Sequence, residues 1–181
     1  MLRALREQLK LLAADPRNHY TSIIRRLAGP REAVRYEQPL RQMILAMPEM
    51  IAQLSNGAGG LGRPVRFRRI RGFVLDYLYN PTDFLPAHGP GLFGYLDDAY
   101  LIARIYYLTL ADGPKHHVGG ESLERSLPVW IELARRLLPK ETLKMDELLD
   151  GVARRRDGGI QGAFKKPIKR NGTAHGLEKK I

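Results

Sequence analysis

Apolar positions recur at intervals of three and four along most of the chain, and alternating β-branched stretches are absent. That is the helical period, and it predicts an all-α protein. Leu2, Leu5, Leu9 and Leu12 stand on one face of an amphipathic helix over residues 2–13. Asp15-Pro16 reads as an N-cap followed by a proline in the first helical position, which predicts a second helix from there to Gly29-Pro30. Tyr20, Ile23, Ile24 and Leu27 share a face of it. A third helical region covers 31–54. Proline lacks the N–H that a helix interior needs, so Pro39 is expected to open a helix and Pro48 to kink or restart it.

Residues 55–64, SNGAGGLGRP, are glycine-rich and without period, which predicts a flexible link. Apolar spacing resumes beyond it. One helix is expected from about Val65 to Leu78, ended by Asn80-Pro81, because a residue before proline avoids the α region. A second is expected from near Tyr95 to about Leu110. Between them Pro81, Pro86, Gly89, Pro90, Gly91 and Gly94 make a tight corner, with Phe84, Leu85, Leu92 and Phe93 folding back onto the helices. Asp97 and Asp98 fall in the first turn of the second helix, where carboxylates favour the positive end of the helix dipole. Further on, Leu127, Trp130, Ile131, Ala134 and Leu138 keep helical register over 125–138, and another helix spans 141–155. The organisation is therefore an N-terminal helical arm (1–54), a linker (55–64), a central hairpin (65–112), C-terminal helices packing on that hairpin (121–156) and a tail (157–181). The tail is glycine-rich, charged and without an apolar stripe, so it is expected to be extended.

The central stretch, residues 71–110, resembles the YkvA-like family, the domain of unknown function 1232. The resemblance rests on Pro81-Thr82-Asp83-Phe84-Leu85-Pro86, followed in order by Gly94-Tyr95-Leu96-Asp97-Asp98 and a second apolar helix. The chain departs from the family pattern in a longer, glycine-rich loop, PAHGPGLFG, and in Asn80 before the first proline. The resemblance implies a compact helical module, often membrane-associated or part of a larger assembly, and brings no enzymatic activity.

Charge sharpens the picture. The formal net charge is +11. Residues 151–181 hold nine Lys/Arg against two Asp/Glu, and residues 1–150 hold 21 against 17. Such asymmetry points to an anionic partner. Arg63, Arg66, Arg68, Arg69 and Arg71 place five guanidiniums within nine residues, a type suited to bidentate phosphate contact. Arg154, Arg155, Arg156, Lys165, Lys166, Lys169 and Arg170 are the matching candidates at the other end. Asp83, Asp97 and Asp98 can be read as oxygen ligands for Mg²⁺ or Ca²⁺, and with a metal-bound water as a hydrolase centre. The same acids also have a structural reading. Asp83 would accept backbone N–H bonds in an Asx-turn, and one of Asp97 and Asp98 would cap the helix while the other pairs with Arg104 or an arginine of 66–71. On that reading Pro81, Asp83, Pro86, Gly94, Asp97 and Asp98 are the parts of the corner.

Several classes drop out. Cysteine is absent, which removes disulfides, thiolate metal sites and a cysteine nucleophile. No P-loop, dinucleotide fingerprint, nucleophile elbow or HExxH occurs. His116-His117 has no further ligand nearby and reads as loop, and Asn171-Gly172-Thr173 has the glycosylation pattern without an apolar leader to support it. Tyr95, Tyr100, Tyr106 and Tyr107 are expected in the core and at its rim. The start, MLRALREQLK, is not expected to act as a secretory signal, and the longest apolar run, Ala99 to Ala111, is broken by Arg104, so no integral span is expected. The reading is a non-catalytic binding or assembly protein, cytoplasmic or peripheral to the membrane. Its expected partner is a protein complex or an anionic membrane surface, with nucleic acid as the alternative, and no cofactor is expected beyond the Mg²⁺ or Ca²⁺ alternative.

Overall fold

The leucine stripe at the start of the chain forms α1, Leu2–Ala14, in the computed structural model, which describes residues 2–56, 91–111 and 121–154. Leu9 is fully buried, and Leu2, Leu5 and Leu12 pack against the same core. Three carbonyls at the end of α1 are satisfied in turn. Leu11 accepts from the Asp15 amide, Leu12 from the Asn18 side chain at 2.8 Å, and Ala13 from Arg41 Nη2 at 2.6 Å.

The second helix, α2, is Tyr20–Ala28 and starts later than Asp15-Pro16 suggested. The Asp15 carboxylate is already used. It accepts the Arg17 amide at 2.9 Å in a local turn, and Asn18 Oδ1 then accepts the Tyr20 amide at 3.0 Å. Tyr20 and Ile24 are buried and Ile23 is half-buried, but Leu27 turns outward. Gly29 ends α2 with φ of 82°, a left-handed conformation that glycine adopts without strain. Pro30 immediately begins α3.

The prolines of α3, Pro30–Asn56, overturn an expectation. Pro39 does not open a helix and Pro48 does not restart one, since both lie inside a continuous helix of 27 residues. The reason is tertiary. Ala33, Leu40, Met43, Ile44, Met47, Met50, Ile51 and Leu54 keep helical register straight through both prolines, and all are buried. Covering that long face outweighs about 3 kcal/mol of unfavourable propensity at each proline.

Gly91 leads into a short 3₁₀ turn, Leu92–Tyr95, with Leu92 and Phe93 buried as expected. Its Phe93 ring meets Tyr20 at 6.3 Å, tilted by 51°. α4 follows directly as Leu96–Ala111. It is apolar nearly all round because it lies inside, with residues 99–103 all buried. Two amphipathic helices complete the described residues, α5 (Glu121–Leu137) and α6 (Pro139–Arg154), with the predicted Leu127, Trp130, Ile131, Ala134 and Leu138 buried.

The described residues therefore form an all-α bundle of six helices and contain no strand. α3 packs against α1, α2, α4 and α5, so the arm and the C-terminal helices share one core. No described helix is long and apolar enough to cross a membrane.

Candidate functional site

Polar chemistry gathers at two places on α4: its first turn, and the face that meets α5 and α6. At the first turn Asp97 is 2% exposed, and its Oδ1 accepts the Asp98 amide at 3.0 Å. That satisfies one N–H group a helix start leaves open, although Asp97 stands inside the first turn and not at the N-cap. Gly94 donates its amide to Gly91 at 3.1 Å, which closes the preceding turn. Gln8 of α1 donates to the Tyr95 hydroxyl at 2.7 Å and ties this step to the arm. Burial raises the pKa of Tyr95, the nearby Asp98 carboxylate adds to that, and the Gln8 bond opposes it.

The second place was not foreseen. Asp146 of α6 receives three donors: Arg104 Nε on Oδ1 at 2.8 Å, and Arg135 Nη2 at 2.7 Å and the Tyr100 hydroxyl at 2.9 Å on Oδ2. Arg135 Nε also donates to the Tyr100 oxygen at 3.0 Å. One carboxylate thus joins α4, α5 and α6. Arg104 is drawn to this acid from the next helix pair, where the sequence reading had set it against Asp97 or Asp98. The signal for it lay in the chain. Arg104 interrupts an apolar run, and Asp146 sits among the buried positions Thr142, Met145 and Leu149 of α6.

The electrostatics follow from this packing. Burial works to raise the Asp146 carboxyl, but the hydrogen bonds from Arg104, Arg135 and Tyr100 outweigh it, so its pKa is lowered. Burial pushes the Tyr100 hydroxyl up to about 12, with Arg135 opposing and Asp146 reinforcing. For Arg135, burial favours loss of the proton, yet the bonds to Asp146 and Tyr100 carry the balance upward. An acid held ionised and a phenol held protonated are poor proton carriers at neutral pH. What the cluster does well is hold three helices in register through charge-assisted bonds.

A smaller polar group lies where α3, α4 and α5 meet. The Tyr106 hydroxyl donates to Gln53 Oε1, and burial, with Glu124 and Glu49 adding to it, raises this tyrosine to about 12. Glu124 Oε1 is buried and has no hydrogen-bond partner among the described residues. The tyrosines divide as foreseen: Tyr100 and Tyr106 are in the core, with Tyr95 and Tyr107 at its rim.

Of the residues singled out in the sequence, Gly94, Asp97 and Asp98 stand together at the start of α4, and Arg154 is the last residue of α6. Pro81, Asp83 and Pro86, the arginines 63–71, residues 155–170 and His116-His117 lie outside the described residues. Among the described residues no group of three or more Asp, Glu or His side chains is gathered to hold a cation. Compared with protein-family models, with curated proteins and with solved structures, the chain matches none.

Proposed function

We propose that the chain is a non-catalytic helical binding and assembly protein that attaches to an anionic partner. One observation carries this reading: the positive charge is divided unequally between the described helices and the rest of the chain. Residues 2–56, 91–111 and 121–154 together hold 16 Lys/Arg and 14 Asp/Glu, a balance of +2 out of the total of +11. The other +9 belongs to the remaining segments, chiefly the arginines of 63–71 and the Lys/Arg of 155–180. Such blocks supply long-range attraction to phosphate-rich or acidic surfaces. The Asp146 cluster supports the non-catalytic half of the reading, because its one acid is already engaged by two arginines and a tyrosine hydroxyl. The YkvA-like order of motifs is compatible with the same reading, since the resemblance implies a helical module and carries over no enzymatic activity.

The test is direct. Full-length protein, and protein lacking residues 157–181, are titrated against duplex DNA and against anionic vesicles at low and moderate ionic strength. The full chain is expected to bind at low salt and lose affinity steeply as salt rises. The deletion is expected to weaken binding and leave the melting temperature nearly unchanged. If the full chain binds no anionic probe at low salt, the reading fails.

A further inference from the structure

Among the described residues, exposed aliphatic side chains stand beside several basic side chains at one end of α2 and α3. This end is the tip of the α2–α3 hairpin. Residues 26–35 read RLAGPREAVR. Arg26, Leu27, Pro30, Arg31, Glu32, Val34 and Arg35 are all exposed there, with Leu27 at 42% and Val34 at 72%. Arg26 and Arg31 form no ion pair with any described residue, and Arg35 meets only Glu32, at 3.1 Å on the surface. A helical rise of about 1.5 Å per residue keeps Val34 within about 6 Å of Pro30 along the axis, so these groups share one small surface.

The tip is also tied by hydrogen bonds. The single residue Gly29 links the helices, its amide donating to Arg25 and its carbonyl accepting from Ala33, each at 3.0 Å. Tyr20 pins the hairpin from within by donating to the Glu37 carbonyl at 3.0 Å. A surface already held in shape has little ordering cost on binding.

Building on the proposed attachment to an anionic partner, we propose that this tip adds a contact of its own beside those basic segments and that the partner is an anionic lipid bilayer. Arg26, Arg31 and Arg35 lie against lipid phosphates, while Leu27 and Val34 enter the boundary between headgroups and acyl chains. Aliphatic side chains gain nothing from a phosphate backbone but gain from that boundary. The tip offers neither an aromatic ring to stack on bases nor an amide to read them, so a nucleic acid is the poorer match.

The experiment is co-sedimentation of the full chain with vesicles of phosphatidylcholine containing phosphatidylserine, and with phosphatidylcholine alone. Three variants are compared: Leu27→Asp/Val34→Asp, Arg26→Glu, and Arg3→Glu as the same charge change on α1. Wild type is expected to bind the anionic vesicles alone. The double variant should bind about tenfold more weakly or worse, at an unchanged melting temperature because both positions are exposed. Arg26→Glu should weaken binding several-fold more than Arg3→Glu. If wild type binds and the tip variants bind equally well, the tip assignment is wrong while anionic attachment stands. If wild type binds duplex DNA but not vesicles, the lipid assignment is wrong and attachment again stands. If it binds neither, both fall.

Discussion

The same chemistry, arginine against carboxylate, is used in two regions with different consequences. In the α1–α3 arm, Arg6 meets Glu49 at 3.4 Å, Arg25 meets Glu37 at 3.3 Å and Arg35 meets Glu32 at 3.1 Å, all with the arginine largely in water. Where α4, α5 and α6 meet, Asp146 takes two arginines at 2.8 and 2.7 Å with a tyrosine hydroxyl between them. Exposed pairs are screened and must order two long side chains for little gain. The Asp146 cluster is shielded, shares its partners and satisfies most of its bonding capacity, so removing one member leaves the others badly placed. Burial and convergence give an ion pair its structural weight, whatever its number of partners on the surface.

Breaking the comparison at its strong end should have the largest effect. Asp146→Ala is expected to lower unfolding stability by about 2–3 kcal/mol, read from denaturant titration, because two guanidiniums lose their acceptor. A loss no larger than that of an arm pair would erase the distinction. Acid should reveal the same group. The folded pKa of Asp146 is lowered, so its contribution is complete above the ordinary carboxylate value of about 3.9 and is lost as pH falls through the lower folded value. Urea midpoints should therefore drop in that acid window for wild type and drop less for Asp146→Asn. Parallel profiles would assign the acid loss elsewhere. Tyr100→Phe keeps the ring and removes the hydroxyl shared by Arg135 and Asp146, for about 1 kcal/mol. At the weak end, a double-mutant cycle on Arg6 and Glu49 should give less than about 0.5 kcal/mol, smaller still in high salt.

Much of the fold was legible because it rested on spacing. The stripes Leu2–Leu12 and Leu127–Leu138 marked α1 and α5, and Asp97-Asp98 marked the first turn of α4. Local rules failed where tertiary contacts outweighed them. Proline propensity argued for breaks at 39 and 48, while the buried row from Ala33 to Leu54 demanded one helix. Asp15-Pro16 had the form of a helix start, but the Asp15 carboxylate was spent on the Arg17 amide. Leu27 fitted the inward face of α2 by spacing, yet it falls in the last turn of the helix and is exposed. The Asp146 cluster joins residues 42 and 46 positions apart, and pairing across that distance depends on packing that periodicity does not encode.

The unbroken course of α3 bears on how the chain is made. Its methionines, Met43, Met47 and Met50, are fully covered in the finished protein. Part of that cover comes from α4 and α5, which are synthesised dozens of residues later. During translation the thioether row therefore waits without its partners, open to oxidation and to chance association with other nascent chains.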